Sequence, residues 1–325
     1  MEFTLDWILK AAAAVGFIYI ILSLFNVHWL LRLRILGSMA VGAILIGFLL
    51  WPRIAPVDPF GPVTLFGGLF SPSDVILSAL AALIAGAGGC LIAYPFGNVI
   101  GLLAVPAGLT VWALRGGTMR LLLLSHSTVQ QRLEIYHFLR LEPLFWIALL
   151  LFGAAGVWLA SKVIQPKIDI LTQDPQKSNS NRTSMIVAVL ASVVIVMLTI
   201  GLFAQDVSYP DAQIGKVTGQ PGTRQVAFAV LASFALAGFL IKLFLDCDHY
   251  LAVAAGPILY FFVISKTCNP QMMQYMSENW AIAYFPNALS AILPIQLIAV
   301  APIGALAGQW LAVKINPQNK LYKVR

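Results

Sequence analysis

Charge is what this sequence lacks. Only 10% of its 325 residues are Asp, Glu, Lys or Arg, against 60% hydrophobic residues and a mean hydropathy of +0.87. Soluble domains carry about 25% charged residues. A chain this poor in charge cannot clothe a water-facing surface, and it reads as an integral membrane protein. Cysteine is scarce as well: Cys90, Cys247 and Cys268 contain no C-x-x-C pair, so neither a disulfide framework nor a zinc site is indicated. Also missing are H-E-x-x-H, G-x-S-x-G and the P-loop signature, which removes the motif-based case for a zinc protease, a serine hydrolase or a nucleotide-driven motor. The excess of 20 Lys+Arg over 13 Asp+Glu reads as a topology signal on loops, not as a nucleic-acid footprint. The partner it implies is the lipid bilayer.

What is present is a series of apolar runs near the roughly 20 residues that cross a bilayer. They cover residues 11–27, 35–51, 75–94, 99–114, 143–163, 183–203, 226–245, 250–264 and 288–313, nine in all. The first follows an acidic start, Glu2 and Asp6, and its alanines open the run. A cleaved signal has a basic start and small residues after its core, so residues 11–27 are expected to be a retained helix. A proline- and glycine-rich stretch at 52–74 reads as a loop, and Pro95-Phe96-Gly97-Asn98 as a tight turn. The segment 119–141 carries Arg120, Arg132 and Arg140 among leucines at loosely helical spacing. It is expected to form an amphipathic helix lying in the membrane interface.

The two halves of the sequence echo each other. Gly156-Val157-Trp158-Leu159-Ala160-Ser161-Lys162-Val163 aligns with Gly308-Gln309-Trp310-Leu311-Ala312-Val313-Lys314-Ile315, with five of eight positions identical. Upstream, Pro143 aligns with Pro294, Leu103-Ala104-Val105 with Leu251-Ala252-Val253, and Ser38-Met39 with Ser184-Met185, in one order. Trp and Lys are rare in this chain, so the first match is the telling one. The reading is a duplicated four-helix unit. Residues 1–34 hold an N-terminal helix and basic hinge, 35–167 the first copy, 168–182 a polar linker, 183–319 the second copy and 320–325 a basic tail. Four helices per copy make the repeats parallel, related by an axis along the membrane normal. Trp158, Lys162, Trp310 and Lys314 then sit as structural anchors at one interface.

Chemistry-bearing clusters are few. Glu134-Ile135-Tyr136-His137 is half of a di-iron signature, but the second half and further carboxylates are lacking. Asp246-Cys247-Asp248-His249 is dense in ligand types, yet consecutive turn residues cannot all converge on one ion; it reads as a solvated turn. Lys242 reads as a snorkelling cation. No metal, cofactor or catalytic residue is expected, and Asp58, Asp74, Asp206 and Asp211 stand isolated. Small residues at Ala82/Gly86/Cys90, Gly153/Gly156/Ala160 and Gly304/Gly308 form seams for close helix packing within the chain.

The sequence thus specifies an all-α polytopic bundle of about nine helices. The function expected of it is a structural or assembly component of a membrane complex, with other membrane subunits as partners. The alternative is a transporter or permease with its pathway between the repeats, which Pro106, Pro257 and Pro294 would suit. Cavity geometry separates the two: a polar cavity between the copies favours transport, a dry seam the scaffold. Lys and Arg place the N-terminus outside and the C-terminus in the cytoplasm of a cell membrane.

Overall fold

The computed structural model describes residues 29–58, 61–66, 70–126, 128–164, 182–212, 215–279, 285 and 287–315. The expected first helix at 11–27, the linker at 168–181 and the tail lie outside the described residues. Helix α1 spans Trp29–Gly42 and continues through a π-helical stretch, Ala43–Leu49, into the short α2, Trp51–Ile54. Then follow α3 (Pro72–Ala93), the short α4 (Gly97–Gly101), α5 (Ala104–Arg115), α6 (Met119–Leu124), α7 (Val129–Leu139) and α8 (Glu142–Ile164). The second half holds α9 (Arg182–Phe203), a hairpin of β1 (Val207–Asp211) and β2 (Gly215–Gly219), α10 (Thr223–Leu245), α11 (His249–Thr267), α12 (Pro270–Asn279) and α13 (Pro294–Ile315). Eight helical segments among the described residues are long and apolar enough to cross a membrane. The protein is a polytopic helical bundle with, among the described residues, one antiparallel hairpin, paired Val207 to Gly219 through Asp211 to Gly215.

Local sequence sets the helix ends. Ser71 caps α3 by accepting from the Asp74 N–H while Asp74 accepts from the Ser71 N–H at 3.2 Å, and Pro72 takes the first turn, where its missing N–H costs nothing. Thr128 and Gln131 form the same reciprocal cap on α7. Helix α10 stops at Asp246, whose φ of 49° is left-handed, a conformation that ends the helical ladder. Pro143 and Pro294 both fall in the first turn of a long helix, α8 and α13.

Small residues determine how the long helices pack. A methyl group on Gly86 would fall on the carbonyl of Gly153, and one on Gly156 on the carbonyl of Leu83 and the nitrogen of Ala87. The pairing advances along both helices together, so α3 and α8 run parallel with their backbones in contact. Helices α10 and α13 do the same. A methyl on Gly238 would meet the Ala305 carbonyl, and one on Gly308 the Ala235 carbonyl and Phe239 nitrogen. Without a hydrophobic driving force in lipid, such close backbone approach supplies the dispersion contacts that hold helices together.

The halves meet along α13, most of which is buried. Ile35, Ala93, Ile100 and Leu103 pack with Leu306, and Ile303 and Trp310 border them. Helix α5 of the first half lies along α13 of the second, whereas the reciprocal pair, α11 with α8, shares no extended contact. Helix α7 belongs to the first half but packs on α11 and α12 of the second.

The same helix corrects the reading of 119–141. The segment holds two helices, α6 ending at Leu124 and α7 starting at Val129, and it does not present its arginines uniformly to headgroups. Arg132 is buried, its Nε donating to the His126 carbonyl at 3.1 Å, and Ile135, Tyr136 and Leu139 are buried beside it. Arg140 lies over the Phe261 ring of α11 at 5.5 Å, and the Cys268 thiol donates to the Leu133 carbonyl at 3.8 Å. Part of the apolar stripe, Ile135, Tyr136 and Leu139, faces the bundle, while Leu124 and Leu141 are exposed. Helix α7 is a strap joining the two halves.

Candidate functional site: a cleft beside a buried carboxylate

The described residues of the connections α2–α3, α5–α8, α9–α10 and α11–α13 lie on one face of the bundle, since successive long helices alternate in direction. On that face lies a cleft of about 840 Å³. Its walls are Leu65 and Phe66 from the 61–66 segment, one side of α7 with Leu133, Glu134 and His137, then Leu141 and Glu142 at the start of α8, and Cys268 and Pro270 at the α11–α12 junction. The cleft therefore takes residues from both halves, and α7 is its central wall.

Glu142 is the chemically pointed residue. It is 2% exposed although it opens a membrane-crossing helix. Thr64 Oγ1 donates to its Oε2 at 2.6 Å and Trp146 Nε1 to its Oε1 at 2.9 Å. Neither donor is cationic. The first turn of a helix favours a carboxylate, because the unsatisfied N–H groups there carry partial positive charge. Aromatic edges pack around the donors: Trp112 and Phe70 meet Trp146 at 6.4 and 5.9 Å, and Phe66 meets Phe138 at 5.8 Å and His126 at 5.4 Å. This cage fixes the indole that holds Glu142. Deeper in, the hydroxyls of Tyr136 and Tyr260 are buried and form no hydrogen bond among the described residues.

Asp206 is the second buried carboxylate on this face. It accepts from the Phe285 N–H at 3.0 Å and from Gln220 Nε2 at 3.2 Å, which ties the hairpin to the segment before α13. Burial raises its carboxyl above the usual carboxylate range, and the two hydrogen bonds offset part of that rise. At Cys268 burial likewise pushes the thiol up, with Arg140 working in the opposite direction.

Glu134 and His137 both line the cleft, and both are exposed. Among the described residues no group of three or more His, Cys, Asp or Glu side chains is placed to hold a metal ion. The Asp246–His249 turn is not a solvated loop. Cys247 is buried, and Gln309 Oε1 accepts from both His249 Nδ1 (2.6 Å) and the His249 N–H (3.1 Å). Lys242 does not simply snorkel; its side chain is 8% exposed and pairs with Asp246 at 2.5 Å. The turn is a helix junction docked on α13. Trp158 is exposed with the Lys162 ammonium over its ring at 3.6 Å, while Trp310 is half-buried against the first half and Lys314 is exposed.

Sequence reasoning missed Glu142 and Asp206. Their burial depends on Thr64 and Phe285, which lie 78 and 79 residues away in the chain. The one local signal was Glu142 standing directly before Pro143 at a helix start. No family model, curated protein or solved structure matches the chain.

Proposed function

We propose that the protein is a structural or assembly subunit of a membrane complex, built from a duplicated four-helix unit. The observation that carries the functional reading is the seam between halves. It is filled with Ile35, Ala93, Ile100, Leu103 and Leu306, and α7 straps it closed on the cleft-bearing face. A transport pathway between the copies would need polar, hydrated walls there. An interlocked apolar seam suits a rigid membrane platform instead, and the segments on the cleft-bearing face offer a surface to partner subunits.

Support for the duplication comes from the backbone approaches. Gly86 on Gly153 corresponds to Gly238 on Ala305, and Gly156 on Leu83 and Ala87 corresponds to Gly308 on Ala235 and Phe239, each position displaced by 152 residues. The same displacement carries Trp158 onto Trp310 and Lys162 onto Lys314. In this reading those four residues anchor one interface of a cell membrane. The Arg32, Arg34, linker and C-terminal cations support a cytoplasmic position for that interface, with the cleft outside.

The test is purification from mild detergent with an affinity tag. The expected result is a stoichiometric membrane-protein partner that survives gel filtration. A chain that purifies alone, and that moves a solute across liposomes at rates above empty vesicles, would replace this reading with the transporter.

A further inference from the structure

We propose that the cleft between α7, the 61–66 segment and the α11–α12 junction binds an amphiphile with an ammonium head. Three observations converge on that chemistry, and none depends on the scaffold reading.

The first is shape and lining. About 840 Å³ is room for a headgroup with part of a chain. Leu65, Phe66, Leu133, Phe138, Leu141 and Pro270 make the wall apolar. The second is charge. Glu134 and Glu142 supply two carboxylates, and none of the lining side chains is a lysine or arginine. Glu142 is buried with neutral donors on its oxygens, Thr64, Trp146 and the Leu65 backbone. A carboxylate shielded from water attracts a cation far more strongly than an exposed one does. The edge-to-face pair Phe66 and Phe138 adds aromatic surface that favours the same sign of charge. Arg140, beside Cys268, is engaged over Phe261. The third is position. Glu142 begins α8 and Cys268 directly follows the end of α11, so the cleft sits where membrane-crossing helices end, at headgroup depth. An alkyl chain there can follow the apolar wall while the ammonium meets the carboxylates.

This chemistry has two sources, the ammonium of a phosphatidylethanolamine headgroup and a free long-chain amine. The full chain is placed in nanodiscs of phosphatidylglycerol with and without phosphatidylethanolamine, and separately in neutral detergent with dodecylamine or lauric acid. Bound molecules are counted by native mass spectrometry. We expect retention of the ammonium species over the anionic one. Phosphatidylethanolamine retained in nanodiscs points to the lipid, and dodecylamine retained alone to a free amine. Glu134→Gln, at an exposed position that leaves the fold intact, lowers retention, and Glu142→Gln lowers it further, by roughly tenfold for a lost charge-assisted contact. Equal retention of cationic and anionic species, or a preference untouched by Glu134→Gln, overturns the proposal. Because Glu134 is exposed, that result cannot be blamed on unfolding.

Discussion

Adding one methyl group at Gly308 should separate α10 from α13. The Cβ of Gly308→Ala would overlap the Ala235 carbonyl oxygen and crowd the Phe239 nitrogen, and both are backbone atoms that no rotamer change can move. Relief requires the helices to move apart, which forfeits dispersion contacts along their length. Overpacking of a filled interior costs about 1–3 kcal/mol, and the backbone contact puts this site at the upper end. Gly156→Ala should cost about the same, since its methyl would meet Leu83 and Ala87 in the same way. Gly201 in α9 provides the control, because nothing lies within 4 Å of the added carbon. There the substitution should stabilise by about 0.5–1 kcal/mol through helix propensity alone. Reversible unfolding of the three variants in mixed micelles measures the differences. If Gly308→Ala and Gly156→Ala are as stable as Gly201→Ala, the helices are not in backbone contact and the packing argument fails. If only one of the pair is destabilised, the equivalence of the two halves fails.

Three further outcomes follow from named contacts. Thr64→Val removes the hydroxyl from Glu142 while keeping its volume, and should cost about 1–3 kcal/mol by leaving a buried carboxyl oxygen unsatisfied, read by the same unfolding assay. Asp206 has a folded-state pKa above its unfolded value, so the folded state holds the proton more tightly. Its contribution is greatest below the ordinary carboxylate range and falls as pH rises through the raised value. Asp206→Asn should flatten that part of the stability profile, and an unchanged profile would show that Asp206 does not titrate there. Arg140→Ala should cost about 1–2 kcal/mol through loss of the Phe261 contact and loosen α7 from α11, detected as faster amide exchange in α7.

Much of the bundle was legible because lipid imposes a simple rule on helix length and polarity. The runs 183–203 and 226–245 reappear almost unchanged as α9 and α10, and the turn at 95–98 separates α3 from α5. The glycine seams were legible as seams because small side chains are the means by which membrane helices touch. Less of the cleft was readable. An apolar stripe on 119–141 has the same periodicity whether it meets lipid or protein, so periodicity alone could not show that Ile135, Tyr136 and Leu139 are buried. Its Arg132, a charge expected in water, is buried by contacts that periodicity cannot express. The Ser38–Ser184 match also fails in register. Ser38 sits deep in α1 and donates to the Ile100 carbonyl, whereas Ser184 lies in the first turn of α9. A narrow apolar alphabet yields such coincidences, while Trp158/Trp310 and the glycine contacts share one displacement.

The central claim is that the seam between the halves is closed to water. Leu306, 2% exposed in the middle of that seam, is the residue to ask. With Cys90, Cys247 and Cys268 replaced by alanine, Leu306→Cys is treated in sealed vesicles with a membrane-impermeant maleimide, from either side in turn. A cysteine in place of Val57, which is fully exposed, serves as the positive control. The account predicts labelling at 57 from one side and none at 306 from either. Labelling of 306 at a rate approaching that of 57 would mean that water enters between the halves, and the structural reading would give way to transport.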